Sequence, residues 1–153
     1  KWENINLEER KIYIKKTIER VYIKKEKKTK IIIDTPKSNS SIREIPINNK
    51  LYEILKKMKG KSKKNEYVLT GSDTHYIEPR NYQYHFKVIL KKSKIKASYK
   101  FHALRHTFAT ICIEIGMDIK SLSEILGHAD VSVTLNVYVH SSDKLKRKFL
   151  EKL

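Results

Sequence analysis

The sequence contains a single cysteine, Cys112, and no long hydrophobic run. A lone cysteine cannot close an internal disulfide, and its apolar surroundings indicate a core residue of a protein from a reducing compartment. No apolar segment approaches the roughly 20 residues that a membrane helix needs, and no apolar secretory segment opens the chain. We therefore expect one cytoplasmic domain that makes no contact with a membrane.

Sequence motifs for nucleotides and metal ions are also missing. The chain has no P-loop and no cluster of carboxylates. His102 and His106 have the four-residue spacing of zinc proteases, but those enzymes carry a glutamate directly after the first histidine, where this chain has Ala103. We therefore expect no bound metal ion and no cofactor.

Negative charge is scarce, and this imbalance is the most informative bulk property of the chain. There are 34 lysines and arginines against 17 aspartates and glutamates, a net charge of +17, and a sequence pI near 9.8. Such an excess implies a polyanionic partner, most simply nucleic acid, although composition alone leaves DNA, RNA and the ribosome open. Only six of the basic residues are arginine, at positions 10, 20, 43, 80, 105 and 147, so an arginine inside a motif is informative.

The first third of the chain has the pattern of β-strands. Between residues 10 and 47 isoleucines alternate with other residues, and β-branched side chains dominate. Residues 35–41 form a cluster of turn-forming residues, Thr-Pro-Lys-Ser-Asn-Ser-Ser. We interpret this cluster as the connection of a hairpin between the run that contains Ile31 and the run that contains Ile45.

The chain then switches to helical periodicity. Leu51 and Leu55 lie four residues apart within a helix predicted over residues 48–59, for which Asn48 or Asn49 is the expected cap and Gly60 the stop. A second helix is expected to begin at Pro79, because proline is well suited to the first helical position.

A third helix is predicted over about residues 102–115. At roughly 100° per residue, five apolar side chains share one face, which we expect to be its core face: Leu104, Phe108, Ile111, Cys112 and Ile115. His102, Arg105 and His106 gather on the other side. Since residues three apart are neighbours on a helix surface, His102 and Arg105 can reach the same ligand.

Three shorter helices complete the predicted order. One runs from Asp118 to Leu126, the next starts near Asp130 and carries Tyr138, and the last begins after residue 141 or 142. A small antiparallel sheet followed by a mainly helical bundle is an α+β fold.

Four chemically distinctive residues follow one another in the last third of the chain. His102 and Arg105 are three apart, His128 follows a Leu-Gly pair, and Tyr138 lies ten residues after His128. This order resembles the catalytic domain of tyrosine recombinases, and most closely the integrases of phages and conjugative transposons. The resemblance is specific over residues 99–140 and weaker over the rest of the chain.

The resemblance implies a role for each of these residues in cutting double-stranded DNA. Tyr138 would attack the phosphate and form a covalent 3′-phosphotyrosine, which conserves the energy of the broken bond and needs neither ATP nor metal. Arg105 and His128 would stabilise the negative charge on the phosphate. His102 would act as a base or positioning group, and Lys37, in the Thr-Pro-Lys turn, would protonate the departing oxygen.

The family pattern also contains an earlier arginine, which would lie upstream of Lys1. We therefore expect residues 1–153 to be an N-terminally truncated catalytic domain that is inactive alone, from a parent that works as a homotetramer on DNA. Two other classes stay open: a helix-turn-helix regulator built on residues 121–126 and the helix from Asp130, and a type IB topoisomerase with the same chemistry. A catalytically dead fragment is the third alternative.

Overall fold

The structure, a computed structural model, describes residues 1–36, 39–95, 99–139, 147, 150 and 151. The strands in this part are β1 (Ile5–Asn6), β2 (Lys11–Ile14), β3 (Thr17–Ile23), β4 (Lys28–Asp34) and β5 (Arg43–Pro46). The helices are α1 (Asn49–Lys59), α2 (Pro79–Lys92), α3 (Ala103–Glu114), α4 (Ile119–Leu126) and α5 (Val131–Val139). Strands precede helices, which confirms the α+β fold class. None of the described helices is long and apolar enough to cross a membrane.

The strands form two antiparallel sheets. β2 is the central strand of a three-stranded sheet ordered β1–β2–β5, in which Ile12 pairs with Ile5 on one side and with Ile45 on the other. β3 and β4 pair only with each other and form a two-stranded ribbon between β2 and β5 in the chain.

The predicted position of the hairpin is wrong. β4 pairs with β3, and the chain reverses between them at residues 24–27, where Lys27 adopts a left-handed conformation with φ 47°. Residues 35–41 connect β4 to β5, and β5 pairs with β2 (Ile12 with Ile45), so this segment links the two sheets at the base of the ribbon. Lys37, which we expected on a hairpin tip, lies outside the described residues.

The first two helices begin where their sequence signals predict. The side chain of Asn48 accepts a hydrogen bond of 2.8 Å from the backbone N–H of Leu51 and so caps α1, and Gly60 follows its last residue. Pro79 stands at the first position of α2. α1 packs against the three-stranded sheet through a core of Trp2, Ile47 and Leu55.

The second core lies between α3 and α4, and it uses a different face of α3 from the one we predicted. Its buried residues are Ala109, Cys112, Ile113, Leu122 and Leu126. Of the five side chains assigned to the core face, only Cys112 is buried. The other four, Leu104, Phe108, Ile111 and Ile115, are 44% to 73% exposed. α3 has apolar residues on more than one side, so periodicity alone does not select the face that α4 covers.

The final predicted helix lies almost entirely outside the described residues. Arg147, Leu150 and Glu151 are its described members, and the N–H of Glu151 donates to the carbonyl of Arg147 at 2.9 Å. This bond has the four-residue spacing of an α-helix.

Candidate active site

Arg105 lies in the first turn of α3 and reaches across to the end of α4. Its half-buried guanidinium donates through Nη2 to the carbonyl oxygen of Leu126 at 2.6 Å. Burial lowers the pKa of Arg105 from its ordinary value, but a guanidinium stays protonated in proteins. The contact fixes a permanent positive charge beside the turn that joins α4 to α5.

His102 occupies the position before α3 and is exposed. Its ring packs edge-to-face against the ring of His106, with centroids 4.9 Å apart. The carbonyl of His106 also accepts from the Thr110 hydroxyl at 3.0 Å. His106 therefore packs against the ring of His102. Arg105, about one helical turn after His102, instead extends towards α4.

Two short-range signals set the ends of α4, and the second one forms the turn to α5. The Asp118 side chain accepts from the N–H of Ser121 at 2.8 Å and caps the start of α4. Gly127 ends the helix with φ 73°, and its N–H donates back to the carbonyl of Ser123 at 2.8 Å. A left-handed residue at this position is a common helix stop that favours glycine, and it turns the chain so that His128 faces α5.

His128 is held by α5. Its Nδ1 atom lies 2.8 Å from the hydroxyl oxygen of Thr134, a residue with 0% exposure. Burial is the main reason that the pKa of His128 lies below its ordinary value of 6.5, and the charges of Arg105 and Arg43 and then of His102 and His106 lower it further. The ring is therefore mainly neutral at pH 7.

Arg43, in β5, is a site residue to which the sequence assigned no role. Its Nε donates to the carbonyl of Ile125 at 2.7 Å, and its Nη1 donates to the carbonyl of Ser41 at 3.0 Å. A Cβ atom on Gly127 would lie 2.8 Å from Nη1 of Arg43, so the guanidinium lies directly against the turn. The scarcity of arginine in this lysine-rich chain could have drawn attention to Arg43, but it applies equally to all six arginines and did not distinguish this one.

Of the two remaining predicted residues, only the backbone of Tyr138 lies in the described part. Lys37 lies outside the described residues, but Pro36 and Ser41, on either side of it in the chain, line a cavity of about 300 Å³ together with Arg43. The backbone of Tyr138 belongs to α5, and its side chain lies outside the described part. Tyr138 follows Thr134 by four residues, so both positions fall on the same face of α5.

The structure thus brings Arg105, His128 and Arg43 together around one turn, with His102 near enough for its charge to affect His128. Three cationic or polar donors meet there at the helix that bears Tyr138. Such a group can surround an anion, because each member is held by a backbone carbonyl or a buried hydroxyl before any ligand arrives.

Comparison with known proteins identifies the group of proteins to which this arrangement belongs. The tyrosine recombinase XerC-like protein of Caldanaerobacter subterraneus subsp. tengcongensis is 33% identical across 100% of this chain, which covers 43% of that protein. The transposase from transposon Tn916 of Enterococcus faecalis is 33% identical over 72% of this chain and 31% of its own length. The chain thus spans less than half the length of these curated relatives.

Solved structures agree in fold. The Tn1549 transposon integrase in complex with transposon right end DNA has a TM-score of 0.69 at 25% identity, over 99% of this chain and 51% of that one. The XerA recombinase has a TM-score of 0.67 at 22% identity, over 97% of this chain and 48% of that one. The sequence model of the phage integrase family matches residues 1–144. The chain therefore belongs to the phage integrase family.

Proposed function

We propose that this protein catalyses site-specific DNA recombination by cutting and rejoining strands through a covalent 3′-phosphotyrosine on Tyr138. The observation that carries the proposal is the convergence of Arg105 and His128 on the α4–α5 turn, next to the helix that contains Tyr138. Phosphodiester cleavage concentrates negative charge on the nonbridging oxygens, and donors fixed in advance lower the energy of that state.

Arg105 supplies the permanent charge. A guanidinium binds two phosphate oxygens in a fork, and the hydrogen bond from its Nη2 to Leu126 occupies only one of its five N–H groups. Its remaining donors are available to the pentavalent phosphate.

His128 acts as a neutral donor. When the hydroxyl of Thr134 donates to Nδ1, the ring proton sits on Nε2, which then donates to a phosphate oxygen. The lowered pKa of His128 favours this neutral form over a doubly protonated ring.

The other roles rest on the family pattern. His102 would accept or steer the proton of Tyr138, because a tyrosine with a pKa of about 10 must lose its proton as it attacks. Lys37 would protonate the departing 5′-oxygen. Replacing that oxygen with sulfur, which leaves without a proton, should then restore cleavage selectively to a Lys37→Ala variant. An arginine encoded upstream of Lys1 would complete the phosphate clamp.

The partner would be double-stranded DNA that carries the recombination sites. A net charge of +17 and the DNA complex of the Tn1549 transposon integrase both support this. We further propose that the full-length protein assembles as a tetramer on two duplexes and acts where the DNA is, in the cytoplasm. Family membership disfavours a helix-turn-helix regulator, and the integrases and recombinases among the relatives favour this branch over a type IB topoisomerase.

The decisive experiment traps the covalent intermediate. Full-length protein that contains this chain is mixed with a nicked suicide duplex in EDTA, and the adduct is mapped by mass spectrometry. We expect the adduct on Tyr138, none with Tyr138→Phe, and normal trapping with Tyr84→Phe, a control at an exposed tyrosine of α2. An adduct on another residue, or none from the unchanged protein, would end the recombinase proposal. If residues 1–153 alone formed the adduct, the proposed need for an upstream arginine would be contradicted, but the phosphotyrosine chemistry would not.

A further inference from the structure

Arg43 joins the sheet to the turn that carries His128. We propose that Arg43 is a positioning residue of the recombinase site, which fixes residues 125–128 so that His128 faces the phosphate. The inference rests on the proposed function for its chemical meaning, but the contacts that motivate it do not depend on that function.

The first observation is a pair of adjacent hydrogen bonds at the end of α4. Arg43 Nε donates to the carbonyl of Ile125 at 2.7 Å, and Arg105 Nη2 donates to the next carbonyl, that of Leu126, at 2.6 Å. The last carbonyls of a helix have no partners within the helix and carry its negative dipole end, so cations are stabilising there. Arg43 therefore performs on one carbonyl the same task that Arg105 performs on the next.

The second observation is that Arg43 is anchored at its other end. Its backbone lies in β5, paired with Ile14 of β2, and its Nη1 donates to the carbonyl of Ser41 at 3.0 Å. Ser41 belongs to the connection that contains Lys37. One side chain thus links β5 and Ser41 to the turn before His128, and its bond to Ile125 spans 82 positions in the sequence.

The third observation is steric. Gly127 leaves room for the guanidinium, since a Cβ there would come within 2.8 Å of Nη1 and 2.9 Å of Cδ of Arg43. The guanidinium of Arg43 therefore packs directly against the turn at Gly127.

The two positive charges beside this turn, on Arg43 and Arg105, repel each other. Burial lowers the pKa of Arg43 first, and the neighbouring charge of Arg105 lowers it further. Two guanidiniums placed around one turn repel each other, and this repulsion is relieved when an anion such as a DNA phosphate lies between them.

The test compares Arg43→Ala and Arg43→Lys with Arg80→Ala, which removes one charge from an exposed position of α2. Lysine keeps the charge but cannot reproduce two directed bonds from Nε and Nη1. Four quantities are measured in the full-length protein. Two report on function: the single-turnover rate of adduct formation at saturating duplex DNA, and the DNA affinity. Two report on the turn: the amide exchange of residues 127 and 128, and the titration of His128 followed by NMR.

We expect both Arg43 variants to form the adduct about tenfold to a hundredfold more slowly, the scale of a small misplacement of reacting groups. The DNA affinity of Arg43→Ala should equal that of Arg80→Ala, and the affinity of Arg43→Lys should equal that of the unchanged protein. In both Arg43 variants the amides at residues 127 and 128 should exchange faster. The pKa of His128 should rise in Arg43→Ala and stay lower in Arg43→Lys.

Other outcomes overturn the proposal. Full cleavage by Arg43→Lys would show that only the charge matters, and a rate loss matched by the loss of affinity or of folded protein would show a merely structural or DNA-binding role. Unchanged amide exchange in both variants, or an unchanged titration of His128 in Arg43→Ala, would also contradict it. If the unchanged protein forms no adduct, the proposed function fails, while exchange and titration still decide whether Arg43 positions the turn.

Discussion

The Nδ1 atom of His128 lies 2.8 Å from the hydroxyl oxygen of Thr134, and Thr134 is fully buried six residues further along the chain. The contact connects His128, the residue that follows Gly127 at the end of α4, to Thr134 in α5. Because Tyr138 follows Thr134 by one helical turn, the same helix that orients His128 also carries Tyr138, the nucleophile that we propose. Thr134, which contacts His128, and the backbone of Tyr138 therefore belong to one helix.

Protonation of His128 should destabilise the fold. Its pKa is lowered in the folded chain from 6.5, so between about pH 6.5 and the lower folded pKa the unfolded chain binds more protons. The free energy of unfolding should consequently fall as the pH drops through this window. In His128→Gln, which cannot titrate, urea unfolding should show a flatter dependence on pH there. An unchanged slope would contradict the lowered pKa. Asp118 and Asp130, whose pKa values are lowered from 3.8, act only at more acidic pH.

Substitution of Gly127 should be more damaging than substitution of Gly71. Both have positive φ, 73° and 66°, so alanine at either position costs about 1–2 kcal/mol for the left-handed backbone. Only at Gly127 does the new Cβ meet a neighbour, Arg43 Nη1 at 2.8 Å, whereas Gly71 has nothing within 4 Å. Chemical denaturation should therefore show a greater loss for Gly127→Ala. Equal losses would mean that Arg43 moves aside without cost.

The choice of core face on α3 can be tested by two neighbouring isoleucines. Ile113 is 4% exposed and Ile111 is 51% exposed. Ile113→Ala should lower the free energy of unfolding by about 2–5 kcal/mol, since it leaves a cavity beside α4. Ile111→Ala should stay within about 0.5 kcal/mol, as is usual for surface positions. Urea denaturation of both variants checks this. A larger loss of unfolding free energy in Ile111→Ala than in Ile113→Ala would favour the buried face that periodicity first predicted.

DNA binding should weaken steeply with salt. Neutralising Z phosphates on duplex DNA gives a slope of about -0.9Z in a plot of log affinity against log salt concentration. Fluorescence anisotropy across a salt series measures that slope, and Arg80→Ala should change it by no more than the loss of one contact. An affinity that does not vary between low and moderate salt would contradict the proposal that the protein binds nucleic acid.

Local signals were sufficient for most of the secondary structure. Asn48 before α1, Pro79 at the start of α2, Asp118 before α4 and Gly127 after it each act on backbone groups within a few residues. The order of His102, Arg105, His128 and Tyr138 likewise carried the family resemblance, because chemistry at a phosphate restricts the residue types more than packing does.

Strand pairing was decided only by the tertiary structure. The turn formers at residues 35–41 favoured a hairpin there, yet the true reversal at residues 24–27 consists of charged residues, with Lys27 in a left-handed conformation. Pairing of β5 with β2 brings together residues about 30 apart, and no local pattern encodes such a contact.

The sequence by itself indicated most of the helices, the charge and the residues that we propose to carry the chemistry, because each depends on side-chain type and short spacing. The tertiary structure alone decided which face of α3 is buried and that Arg43 lies against the turn before His128. α3 is apolar on more than one side, so its buried face was set by the position of α4. Arg43 reaches Ile125 across 82 positions, a contact that exists only once β5 and α4 are packed together.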